Sequence, residues 1–178
     1  MSGLERIGDF FIWIGETLAA LSPPRPPLSA LGVENGEALL YRRKGVDYMR
    51  ERAARPGDSA PFLLSAEQAF AARLVVAPEV ALHGIDPARL EAARRSPVPL
   101  AEAEWALARA PEAWAEGAPW RFAAAPKRRL EALRETLRVA GAAPGPAFAM
   151  VEGAPMTLRA GGPRRAKTPM AAAAIVML

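Results

Sequence analysis

The chain contains no cysteine and one histidine, His83. The missing cysteine excludes disulfides, thiolate metal sites and cysteine nucleophiles. A lone histidine lacks the partners that metal binding or histidine acid–base chemistry usually needs, so a surface or loop position is expected for it. Neither Gly-x-Gly-x-x-Gly nor Gly-x-x-x-x-Gly-Lys-Ser/Thr occurs, so no motif for dinucleotide or P-loop nucleotide binding is present. No apolar run reaches the roughly 20 residues of a membrane-spanning helix. The start carries Glu5, Arg6 and Asp9 around the short apolar stretch Phe10 to Ile14, with no clean cleavage site, so a signal peptide is not expected. Acids also run out: none follows Gly153.

What is present suits one domain with tails. The chain has 178 residues, a size at which folding removes roughly 70% of the unfolded surface from water. The hydrophobic fraction of 51% is raised by alanine, so a small core, helix-rich at its edges, is expected. The net charge is +4. Most arginines alternate with glutamates, and the unbalanced charge lies after Gly153. That distribution favours a lipid-facing tail over a nucleic-acid face, and no nucleic-acid partner is expected. Arg164, Arg165 and Lys167 lead straight into the apolar run Met170 to Leu178. This is the pattern of the cytoplasmic flank of a membrane helix, here too short to span. The expectation is a domain that ends at an incomplete anchor, with membrane contact through this tail.

Three segments follow from composition: an amphipathic helix and proline-rich linker over 1–28, an α/β domain over 29–160, and a basic flank with an apolar tail over 161–178. Leu4, Ile7, Phe11, Ile14 and Leu18 recur at helical spacing, with Phe10 and Trp13 beside them, predicting a helix over Leu4 to Leu21. Its apolar face, Phe10, Phe11, Trp13 and Ile14, is a candidate partner-binding surface. Ser22 to Pro27 reads as a polyproline spacer. Asn35-Gly36 is a turn, followed by a strand to Arg43. Lys44-Gly45 turns the chain into a second strand, Val46 to Glu51. Phe62 to Leu64 and Ala69 to Val76 read as neighbouring strands of one sheet. Asp86 and Pro87 open a helix to Arg95 as cap and first residue, which Ser96 to Pro99 ends. Strands are predicted at Glu104 to Ala108 and Pro119 to Ala125, with Trp120 and Phe122 on one face. A helix is predicted over Pro126 to Ala140, with the stripe Leu130, Leu133, Leu137 and Val139 and with Glu131 and Glu135 in register with Arg134 and Arg138. Gly141 would stop it, and strands at Pro146 to Val151 and Met156 to Arg159 would close the domain. Gly161-Gly162 reads as linker. This order gives an α/β or α+β domain with a mixed sheet and flanking helices.

No catalytic, cofactor-binding or metal-binding residue is assigned. Glu102 and Glu104, two apart, would share one face of a strand, which is the spacing of an acid–base pair but also of a solvated strand edge. Ser59 and Ser65 lack a nucleophile elbow. Lys127, Arg128 and Arg129 at a helix start are candidates for binding phosphate; since cations there oppose the dipole, they are equally candidate contacts for an acidic partner, or else a solvated face.

Several stretches carry a resemblance: Asp9 to Leu18, Glu37 to Gly45, Ala69 to Pro78, Ser96-Pro-Val-Pro-Leu-Ala-Glu-Ala-Glu-Trp105, and Trp120 to Arg129 with its helix. Over most of residues 9 to 160 the chain resembles the cytoplasmic domain of GspL/PilN-type assembly-platform proteins of type II secretion and type IV pilus systems. The resemblance implies an actin-like, ribonuclease-H-like fold fragment. It implies a non-enzymatic scaffold at the cytoplasmic face of the inner membrane that recruits the cytoplasmic motor ATPase and links it to other platform proteins. Pairing with a second copy is open to such a domain. Related actin-like members bind ATP, but no phosphate loop carries that over. Two alternatives stand beside it. One is an actin-like or ribonuclease-H-like enzyme acting on nucleotide or nucleic acid, needing magnesium-binding acids such as Glu37, Asp47 and Glu104. The other is a basic lipid- or nucleic-acid-binding adaptor.

Overall fold

The computed structural model describes residues 25–76, 85–110 and 119–162. The predicted N-terminal helix with Phe10, Phe11, Trp13 and Ile14, the loop histidine His83, the loop at 111–117 and the flank Arg164, Arg165 and Lys167 lie outside them.

Ten strands and two helices are described: β1 Ser29–Glu34, β2 Glu37–Lys44, β3 Asp47–Ala53, β4 Ser59–Leu64, β5 Phe70–Val75, α1 Ile85–Arg95, β6 Ala103–Arg109, β7 Pro119–Pro126, α2 Lys127–Val139, β8 Ala143–Val151, β9 Ala154–Thr157 and β10 Arg159–Ala160. A 3-10 turn, Leu100–Glu102, precedes β6. β1 adds to the sequence reading: a strand from Ser29 to Glu34 precedes the Asn35-Gly36 turn.

The strands form two sheets, which makes the domain α+β. The first is mixed, in the order β3-β2-β1-β4-β8-β9, with β1, β4 and β8 mutually parallel. The second is antiparallel, in the order β10-β6-β7-β5. The expectation of one sheet holding both the Phe62 and the Ala69 strands is therefore corrected. Between them Gln68 and Ala69 donate backbone N–H bonds to Ser65 O, at 3.0 and 3.1 Å. Gln68 Nε2 also donates to Val33 O at 2.7 Å. This pinned turn sends β5 away from β4 into the second sheet.

Alternation along β6 and β7 divides the interior. Ala106, Ala123 and Ala125 join Leu31, Phe62, Leu130, Leu137 and Ala147 in a core between the sheets and α2. Trp105, Leu107, Trp120, Phe122 and Ala124 face the other way, onto Ala88 and Ala92 of α1. β7 is thus covered on both faces, which is why it reads as a nearly continuous apolar run. The foreseen Trp120/Phe122 face is the one on α1. The chain passes from β9 to β10 through Leu158, which is buried, so both sheets share one terminal segment.

The six-stranded sheet is strongly curled. Tyr48 of β3 and Phe148 of β8 stand four strands apart, roughly 19 Å in a flat sheet. Their ring centroids are 5.8 Å apart, so the sheet bends around this face. On β1, Gly32 leaves room for the Tyr41 ring: a Cβ there would lie 2.8 Å from it.

α2 ends as expected. Gly141 has φ +78°, its N–H bonds Arg138 O, and Ala142 N–H bonds Leu137 O, the paired closure of a Schellman motif. Of the predicted stripe, Leu130 and Leu137 are fully buried and Leu133 packs on the core. Val139 is 80% exposed. Two residues after Leu137 it is turned about 200° around the axis, onto the solvent side. Gly162 is not linker. It is buried with φ +78°, and a Cβ on it would collide with the Trp105 indole.

Candidate functional site

The predicted acids do not assemble. Glu37 opens β2 and pairs with Arg50 at 3.3 Å. Asp47 stands opposite Lys44 at the far end of β2. Glu104 is held from α2 by Arg134, Nη1 and Nη2 each donating at 2.8 Å to a different carboxylate oxygen. Among the described residues no three metal-ligating side chains cluster. Glu102 and Glu104 are separated as well, because Glu102 lies in the 3-10 turn and β6 begins only at Ala103. Glu104 is not a solvated edge: its side chain is 13% exposed and that of Arg134 16%. Hydrogen bonding to Glu104 is the main reason the Arg134 pKa is raised. The pair ties the helix to the second sheet. Ser59 opens β4, and Ser65 N–H is bonded by Gln68 Oε1 in the turn after it.

A second two-pronged pair closes the β3–β4 connection. Arg52 donates to both Asp58 oxygens at 2.7 and 2.8 Å, and Arg55 N–H donates to Oδ2 at 2.7 Å. These bonds, the Arg52 bond foremost, lower the Asp58 pKa from 3.8 to about 2. Its role is to hold a loop.

The surface that stands out is the solvent side of α2. Lys127, Arg128 and Arg129 are all exposed. Pro126 supplies no side-chain cap, and no acid occupies the first turn. Lys127 Nζ donates to Ala101 O at 2.6 Å. Farther along, Glu131 pairs with Arg134 at 2.9 Å and Glu135 with Arg138 at 3.1 Å, as the spacing predicted. Charge is therefore balanced in the middle of the helix and cationic at its start. Beside its C-terminal half runs a shallow groove of about 580 Å³, lined by Gly36, Ala38, Ala132, Thr136, Val139 and Ala140 with Glu135. The groove was not legible in the sequence, since its two walls come from the β1–β2 turn and from α2.

Among the described residues no helix is long and apolar enough to cross a membrane. No family model matches the chain, and no curated protein does. Among solved structures it has a weak likeness to a component of one described as a "PilM-PilN type IV pilus biogenesis complex", with a TM-score of 0.41 and 19% identity. The likeness covers 68% of this chain and 46% of that one, so the chain spans less than half the length of the protein it is compared with.

Proposed function

We propose that this chain is a non-enzymatic scaffold of a type II secretion or type IV pilus assembly platform. It would sit at the cytoplasmic face of the inner membrane, recruit the motor ATPase and join it to other platform proteins. In this reading its α+β domain is an actin-like fragment. The observation that carries the proposal is the uncompensated cationic start of α2. Three exposed cations at the positive end of a helix oppose the dipole, and an acidic surface of a protein partner would relieve that opposition. The stretches quoted above that resemble GspL/PilN-type platform proteins support the same reading.

The test is a pull-down from native membranes with the chain tagged at its N-terminus, alongside the triple variant Lys127→Glu, Arg128→Glu, Arg129→Glu. Co-purification of a pilus or secretion motor ATPase with platform subunits, reduced at least ~10-fold in the variant, is the expected result. Recovery of neither class above an untagged control would overturn the proposal.

A further inference from the structure

Three two-residue hairpin turns are described, and one differs from the others. Asn35-Gly36 joins β1 to β2 and Glu152-Gly153 joins β8 to β9; both residues of each have positive φ and each begins with a polar residue. Gly45-Val46 joins β2 to β3. Gly45 takes the positive φ, +66°, so the second position is open to polar turn formers. It holds valine instead, 69% exposed. A β-branched apolar side chain at a solvated apex contributes nothing to its own turn.

Two more exposed apolar side chains lie at this end. Leu28 is 75% exposed and Met49 is 52% exposed. Leu28 O accepts from Arg43 N–H at 2.9 Å, and Met49 stands opposite Arg42. Along the strands, Leu28 and Met49 thus lie within about three residues, or ~10 Å, of the apex. The strand leading in is fixed there: Tyr48 OH donates to Pro27 O at 2.7 Å, and Arg43 Nη1 donates to Pro26 O at 3.0 Å. Around these apolar groups stand Arg25, Arg42, Arg43 and Lys44, against Asp47 and Glu51, the latter bonded to Arg42 at 3.2 Å.

We infer that the β2–β3 apex is a membrane-surface contact, dipping Val46, Leu28 and Met49 into the interface of a bilayer carrying anionic lipid. Charge complementarity argues for that occupant, since the belt around the apex is cationic. Shape argues for it too. By register Leu28, opposite Arg43, and Met49, opposite Arg42, lie on opposite faces of the sheet, so exposed apolar groups flank the tip on both sides, which suits a deformable interface better than the fitted concave pocket a protein partner would need. Interfacial amphipathic helices bury their apolar face about 5–10 Å deep, and these three residues lie within about 10 Å of the tip. The inference stands on the hairpin's own residues and does not rest on the pilus or secretion reading.

The test is flotation of the full chain with phosphatidylcholine vesicles containing or lacking phosphatidylglycerol. It compares Val46→Asp, the double variant Leu28→Ser, Met49→Ser, the exposed control Val139→Asp, and Arg164→Gln, Arg165→Gln, Lys167→Gln. Thermal melts confirm that each variant is folded, as their exposure leads one to expect. Wild type should bind the anionic vesicles, less at high salt. Val46→Asp and the Leu28/Met49 variant should each lower the partition at least ~10-fold, and Val139→Asp less than ~2-fold. No binding by wild type, equal binding by Val46→Asp, or binding abolished only by the Arg164/Arg165/Lys167 variant would overturn it.

Discussion

β7 and β3 are strands of similar length with opposite fates. β7 lies in the middle of the smaller sheet and is buried along seven of its eight residues. β3 is the edge of the larger sheet, and none of its seven residues is fully buried. Strand geometry is the same in both; what differs is how many layers cover them. β7 has a sheet and α2 on one side and α1 on the other. β3 carries charged side chains that discourage edge pairing, and its larger apolar residues, Tyr48 and Met49, lie toward the tip. Stability is therefore concentrated around β7, while β3 and its turn are left to meet whatever the domain meets.

The sharpest way to break this contrast is to truncate one side chain on each strand. Phe122→Ala should lose about 3–5 kcal/mol in urea unfolding, because Phe122 is fully buried with Trp105 and Phe70 rings against it. Met49→Ala should lose less than ~0.5 kcal/mol. Similar losses at both sites would refute the layered account.

A smaller effect separates the ion pairs of the two regions. Glu104→Ala removes the two-pronged bond to Arg134 beside β7 and should lose about 2 kcal/mol. Arg50→Ala breaks an exposed pair on β3, with side chains 56% and 68% exposed, and should lose about 0–0.5 kcal/mol. Chemical denaturation of both variants, at low and at moderate salt, checks the difference.

The smallest effect concerns pH. The Asp58 pKa is depressed by Arg52. A depressed carboxylate adds stability that is fully present above its unfolded value and is lost as pH falls through the folded one. That places the Asp58 contribution above about 3.8, with its loss between there and about 2. Asp58→Asn should flatten the acid limb of the stability curve in this window, read from urea midpoints against pH. An unchanged acid limb would mean that the Arg52 clasp contributes nothing to folding.

Much of the fold was legible locally. Asn35-Gly36, Gly45 and Gly141 each take the positive φ that glycine makes easy, and turns or helix ends were read at all three. The Glu–Arg spacing of α2 became real pairs. The Lys127 to Arg129 cluster was found from sequence, because charge opposed to a helix dipole is visible without a structure. Less could be read where two distant segments meet. The Leu130 to Leu137 stripe was right, but Val139 at its end was not, since one residue of drift moves a side chain off the buried arc. The role of Glu104 was missed because its partner is 30 residues away. Gly162 read as linker because the Trp105 ring that requires a glycine there comes from another strand.

By itself, then, the sequence determined the described turns, the helices α1 and α2, most of the strands, the alternation of small and large apolar residues, and the cationic start of α2. These depend on backbone sterics and on neighbours a few residues apart. Only the tertiary structure decided that the strands divide into two sheets, that β7 separates two cores, that the larger sheet curls until Tyr48 meets Phe148, and that Leu28, Val46 and Met49 come to the same end of the larger sheet. A strand's period of two is the same in either sheet. Which sheet it joins is settled by long-range pairing and burial, and those free energies belong to no single segment.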